Sequence, residues 1–272
     1  MEFIPTVSRI TIYPVKSLDG IALQKAQVVK GGCLNHDREF AIMDNELNFI
    51  NGKSNPLVHS LRTAFDPEND IISFRHEDEA AWKDYHLQKE RTAIDAYLSD
   101  FFKMPAALYQ NKEGRFLDIP DISGITALSS ASIETVAGWF DDMDLEETRK
   151  RFRATIEITG VPAFWEDCLF VEEGTAIEFK LGDITVLGIK PRARCIVPTR
   201  HPETGEMIRG FQKSFARHRA ATLPQWSTLE DYGHTYFLST DCHLPPTEAG
   251  KWVSVGDEVK IIGKRISNIK LK

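Results

Sequence analysis

The stretch AIEFKLGDITVLGIK, Ala176–Lys190, sets two runs of alternating apolar and polar residues on either side of Leu181-Gly182-Asp183. A period of two puts every second side chain on one face of a strand, and a short Gly-Asp turn lays two such strands antiparallel. Such a hairpin commits this part of the chain to a sheet with one buried face. Further β-rich runs are SRITIYPVKS (ended by Pro14), IALQKAQVV, EFAIMD, DIISFR, RFRATIEITG, HTYFLST and SVGDEVKIIG; the last carries a second expected tight turn between paired strands at Val255-Gly256-Asp257.

Three segments have helical spacing instead. Ile94, Leu98, Phe101 and Phe102 share a face in Thr92–Phe102, as do Ile133, Val136, Ala137 and Phe140 in Ser130–Phe140, and Phe211 and Phe215 in Ile208–Ala220. The acidic DDMDLEET reads as a solvated helix-to-strand connection. The fold class expected is therefore α+β, mainly β, with a β-barrel and a few packed helices. Gly114, Pro120 and Gly124 punctuate the polar segment NKEGRFLDIPDISG between two patterned regions, which marks a domain boundary near it.

Charge and cysteine usage narrow the function. With 33 basic and 40 acidic residues the net charge is -7, which argues against general nucleic-acid binding, so a local basic cluster reads as a pocket for one anion. No apolar window reaches the roughly 18 residues of a membrane span, and the start of the chain shows no charged-then-apolar leader; a cytoplasmic protein with no membrane partner is expected. Cys33, Cys168, Cys195 and Cys242 lie too far apart for a zinc knuckle, a redox CxxC or an iron–sulfur loop.

The strongest chemical signal is KPRARCIVPTRHPETGE, Lys190–Glu206. Nearby cations favour a thiolate, the form of cysteine that binds metals. On an extended strand, however, Arg192 and Arg194 share one face and Cys195 takes the other, so the arginines suit a neighbouring anion better than the sulfur. A surface strand with solvated arginines and a core cysteine is the alternative. YPVKS presents Lys16 and Ser17 at a strand end, HDREF puts Arg38 before a strand, and RFR sets Arg151 and Arg153 on one strand face. ALSSAS places Ser129, Ser130 and Ser132 at a helix start, where free N–H groups favour a phosphate. His201, His218 and His234 lack ligand-like spacing. Arg209, Lys213 and Arg217 recur every fourth residue, as a solvated face or a dock for an acidic electron carrier.

In this order, YPVKS, DR, LS-x-AS, RFR and RCIVPTRHPETG resemble the MOSC proteins, relatives of the carboxy-terminal domain of molybdenum cofactor sulfurase, and within them the amidoxime-reducing subgroup. The resemblance covers almost the whole chain, as a smaller N-terminal MOSC-associated β-barrel region at 1–118 followed by the MOSC domain at 119–268. It implies that Cys195 supplies a thiolate to molybdenum, which is also held by the dithiolene of one pterin. It assigns Lys16, Ser17 and Arg38 to the pterin and its phosphate, Ser129 and Ser130 to a helix-start anion site, and Arg153, Arg194 and Tyr236 to the cofactor's surroundings, with Ala193 and Arg194 acting mainly through backbone. Two departures stand out: RFRAT replaces RFRPN, so Thr155 stands where an asparagine is usual, and Ala193 replaces a serine.

The activity implied is reduction of N-hydroxylated compounds (amidoximes, hydroxylamines, N-hydroxylated bases). Electrons would come from a separate flavin reductase with a ferredoxin or b-type cytochrome. No residue is singled out as proton donor. Two alternatives stay open: sulfur transfer through a persulfide on Cys195, although the chain is too short for the sulfurase's pyridoxal-phosphate domain, and a non-catalytic cofactor carrier.

Overall fold

A computed structural model of the chain describes residues 4–119, 122, 124–224, 234–267 and 269. Its strands in chain order are β1 (Thr6–Ile12), β2 (Ile21–Leu23), β3 (Lys25–Gln27), β4 (Phe40–Met43), β5 (Leu61–Asp66), β6 (Ile71–His76), β7 (Lys83–His86), β8 (Ala107–Gln110), β9 (Ile125–Ser129), β10 (Ile156–Thr159), β11 (Thr175–Leu181), β12 (Ile184–Ala193), β13 (Phe237–His243), β14 (Trp252–Ser254) and β15 (Val259–Ile266). The α-helices are α1 (Arg91–Phe102), α2 (Ser130–Ala137), α3 (Leu145–Phe152) and α4 (Phe211–Ala220). The fold is α+β and mainly β.

Eight strands make one sheet in the order β15-β11-β12-β13-β9-β10-β1-β2. The β11–β12 hairpin has the register expected of the LGD turn, Leu181 opposite Ile184. The sheet curls until β1 meets the start of β15: Thr6 bridges Glu258, Val7 N–H donates to Asp257 O at 2.9 Å and Gly256 N–H to Val7 O at 2.8 Å. The contact covers the start of β15, where Val259 N–H also donates to Pro5 O at 2.8 Å, while the rest of that strand pairs with β11. Inward residues such as Val7, Ile10, Ile156, Ile158, Phe179, Leu181, Ile184 and Val186 fill the barrel. The large sheet thus draws strands from both sides of residue 118.

The remaining strands form three smaller sheets, β14-β3, β4-β8 and β5-β6-β7, and α1 buries Ile94, Leu98 and Phe102 against the last two. A third cluster, with Phe152, Phe211, Phe215 and Tyr236, fills the space among α2, α3 and α4.

Several expectations change. RFR does not open a strand: Arg151 and Phe152 close helix α3, and Arg153 is its left-handed C-cap, φ 52°. The acidic segment is that helix's start, with Asp144 Oδ1 accepting from Glu147 N–H at 2.7 Å and Glu146 and Glu147 in the first turn, where acids suit the helix dipole. The VGD turn does not join paired strands, because β14 pairs with β3 and β15 with β11. Helix α2 stops at Ala137, before Gly138, and α4 starts only at Phe211 because Gly210 has φ 75°. Arg209 therefore precedes the helix rather than belonging to its face.

Candidate functional site

The two ends of the first cationic group meet through backbone pairing. Arg38 N–H donates to Tyr13 O at 2.8 Å, Phe40 N–H to Pro14 O at 2.9 Å and Lys16 N–H to Phe40 O at 2.8 Å. This parallel contact brings Lys16 and Ser17 beside Arg38, although 22 positions separate Lys16 from Arg38. Ser17 (φ 74°), Arg38 (φ 49°) and Arg153 (φ 52°) all hold a left-handed backbone that costs a non-glycine residue energy. Arg38 and Arg153 both lie over the Tyr13 ring, at 4.7 and 4.0 Å from its centroid.

The second group comes from the end of β12. Arg192 is the last cation inside the strand; Arg194 and Cys195 lie beyond it, so simple alternation does not extend to the cysteine. Arg192 is not available to an anion, because it pairs with Asp241 at 2.6 Å and Asp118 at 2.9 Å. Arg194 behaves differently. Its Nη2 donates to Phe152 O at 2.9 Å, but Nε and Nη1 are buried without a partner among the described residues. Burial first, and then Arg192, lower its pKa to about 10. Arg151 is held by Glu147 and by the Pro198 and Arg200 carbonyls, which ties the helix end to the segment after Cys195.

These groups enclose a cleft of about 380 Å³ lined by Lys16, Ser17, Arg38, Lys53, Arg153, Lys190, Arg192, Arg194 and Cys195, with Asp118 and Asp241 as its acids. Lys16 donates to Asp118 at 2.6 Å; burial lowers its pKa and Asp118 opposes that shift. Asp118 is itself held well below the carboxylate range: burial raises it, but Lys16 and Arg192 outweigh burial. Cys195 is exposed. Hence the cleft offers an accessible thiol, a cationic wall and, at Arg194, donors still lacking an acceptor.

Three expected site residues lie elsewhere. Ser129 caps α2 and is fully buried, and the acceptor at that helix start is the protein's own Glu166, whose Oε2 accepts from Ser129 N–H at 3.1 Å and Ser132 Oγ at 2.9 Å. Ser130 Oγ meets Ser8 Oγ at 2.8 Å. Neither serine lines the cleft. Tyr236 does not line it either; its carbonyl accepts from Arg194 N–H at 3.0 Å while its ring packs edge-on to Phe215. Thr155 is buried, and its N–H donates to Thr126 Oγ1 at 3.0 Å. Conversely, His59, Lys53, Asp118 and Asp241 line the cleft without having been singled out. The turn-forming Asn51-Gly52-Lys53-Ser54 was a usable signal for Lys53; the two acids carry none, since only folding places them beside Arg192.

Among the described residues no three His, Cys, Asp or Glu side chains are grouped to hold a metal ion. A metal at Cys195 would take one ligand from the protein and the rest from a bound group. A soft thiolate beside unfilled guanidinium donors fits a metal carried on an anionic organic ligand.

The family described as MOSC N-terminal beta barrel domain matches residues 4–143, just over half of the chain. The "Molybdenum cofactor sulfurase" of Caenorhabditis briggsae is 24% identical over 224 residues, 75% of this chain and 30% of that protein. The "Mitochondrial amidoxime reducing component 2" of Bos taurus is 25% identical over 253 residues, 77% of this chain and 70% of that protein. The chain thus spans less than a third of the sulfurase it matches. A solved structure described as "Crystal structure of an hypothetical protein" overlaps at TM-score 0.34 and 14% identity, covering 58% of this chain and 59% of that one, too little to bear on fold or function.

Proposed function

The chain belongs to the family of the MOSC N-terminal beta barrel domain, and from that premise we propose that it is a molybdenum-cofactor reductase of N-hydroxylated compounds. The observation that carries this reading is an exposed Cys195 on a cationic cleft whose Arg194 keeps buried donors without a partner. The similarity to an amidoxime reducing component supports it.

When bound, the cofactor supplies the two-electron, oxygen-accepting chemistry. Cys195 would hold the metal through its thiolate. Arg194, with Lys53 and Lys190 at the lining, would hold the anionic part of the cofactor; Arg38 has one nitrogen taken by buried Asp37 at 2.5 Å and would offer its remaining donors, sharing the Tyr13 ring with Arg153. Asp118 and Asp241 keep Arg192 and Lys16 fixed, so these two cations shape the wall instead of competing for the ligand. An N-hydroxylated substrate takes up two electrons and two protons, its N–O bond breaks, and water leaves. The electrons come from a separate reductase chain ending in a ferredoxin or a b-type cytochrome.

Metal analysis with an activity assay tests this. Purified protein should hold about one molybdenum per chain, lost in Cys195→Ala, and should reduce benzamidoxime with reduced methyl viologen. Loaded protein without that activity would point to a cofactor carrier. Stoichiometric persulfide on Cys195 without molybdenum would point to sulfur transfer.

A further inference from the structure

Helix α4 concentrates positive charge in an acidic protein. From Met207 to Pro224 the sequence contains no Asp or Glu, yet it holds Arg209, Lys213, Arg217 and Arg219. Arg219 is buried and bonded to both oxygens of Asp167. The other three are exposed, and none makes an ion pair or hydrogen bond among the described residues. At about 100° per residue, Lys213 and Arg217 project from the side of α4 opposite Phe211 and Phe215. Arg209 stands just ahead of the helix, next to Met207 and Ile208, and Met207 is 52% exposed.

The inner face of the same helix leads to the cleft. Phe215 packs 5.3 Å from the Tyr236 ring and 5.4 Å from Phe152. Arg194 lies over Phe152 at 5.4 Å and bonds to the Tyr236 carbonyl. Ile208 N–H also donates to Thr199 O at 2.8 Å, which fastens the start of α4 to the segment that follows Cys195. A molecule seated on the outer face of α4 is therefore separated from the Arg194–Cys195 segment by one helix and one layer of aromatic side chains.

We propose that the outer face of α4, with Arg209 at its head, is the docking surface for a small acidic one-electron carrier protein. This rests on the reductase reading above. Each docking delivers one electron, so two reduced carriers are oxidised per turnover. The substrate gains those two electrons and two protons from solvent, the N–O bond is replaced by N–H, and the oxygen leaves as water. Electron-transfer encounters bury little surface and are steered by charge, a demand that Lys213 and Arg217 on α4, with Arg209 just ahead of it, can meet. The occupant is acidic because Arg209, Lys213 and Arg217 are exposed and have no acidic partner among the described residues.

The test uses the loaded full-length protein, an acidic plant-type ferredoxin as carrier, and the triple variant Arg209→Glu, Lys213→Glu, Arg217→Glu. With reduced methyl viologen, benzamidoxime reduction by the variant should stay within about twofold of wild type. With ferredoxin, the variant should lose about tenfold or more in kcat/KM for the carrier, and the steep fall of the wild-type rate with salt should flatten. Calorimetry should show ferredoxin binding to wild type at low salt and none to the variant. Unchanged ferredoxin kinetics and binding in the variant would overturn the docking surface, as would a wild type that ferredoxin neither binds nor reduces. Absent methyl viologen activity would sink the reductase reading, while the binding measurement would still decide the surface.

Discussion

Arg192 is clamped to Asp241 at 2.6 Å across the β12–β13 pair, and its second nitrogen reaches Asp118 at 2.9 Å. The Asp241 side chain is only 3% exposed, so removing the guanidinium would leave a buried charge without compensation. Arg192→Met should cost about 3–5 kcal/mol, measured by urea unfolding of the metal-free protein. A loss below about 1 kcal/mol would show that Arg192 is a free cleft cation instead.

Glu166 should give stability an alkaline slope. Burial first, and then Asp167, raise its carboxyl from 4.5 to about 7. The folded state therefore keeps a proton that the unfolded chain releases. The stabilisation is complete below about pH 4.5 and disappears as pH rises through about 7. Glu166→Gln, neutral throughout and still able to accept from Ser129 N–H and Ser132 Oγ, should flatten that fall between pH 5 and about 7 and exceed wild type at pH about 8. Urea midpoints with the same slope in both proteins would rule this out.

Gly188 marks where the turn containing Leu169 crosses β12. A Cβ there would sit 1.8 Å from Leu169 O, in a strand whose register shifts between Gly188 and Lys190. Gly188→Ala must push the backbone apart and should destabilise by about 1–3 kcal/mol. A variant with wild-type thermal stability would contradict this.

Cys195→Ser should separate stability from loading. The side chain is exposed, so the metal-free variant should unfold within about 0.5 kcal/mol of wild type. Its molybdenum content should nevertheless fall to background. Retention of metal would remove Cys195 from the ligand set.

The sequence was legible wherever periodicity and local turns decide structure. The β11–β12 hairpin follows from alternation around LGD, and α1 from the spacing of Ile94 and Leu98. RFR was misread because RFRATIEITG continues into a true strand, while LEETRKRF lacks an apolar stripe to announce a helix. The Asp144-x-x-Glu147 cap was the available signal. At the site, Lys16, Ser17, Arg38, Arg153, Arg194 and Cys195 do converge on one cleft. Ser129 and Ser130 do not, since Glu166, far along the chain, fills the helix start; no local pattern encodes such a partner.

The Thr6–Glu258 bridge also has a consequence during synthesis. β1 finds β2 almost at once, but its other edge must wait for β10, and its contact with the start of β15 for nearly the whole chain. At 5–20 residues per second, that second edge emerges from the ribosome on the order of 10 s before its partner exists. For that interval a nascent strand bearing Val7, Ile10 and Ile12 is a natural handhold for chaperones.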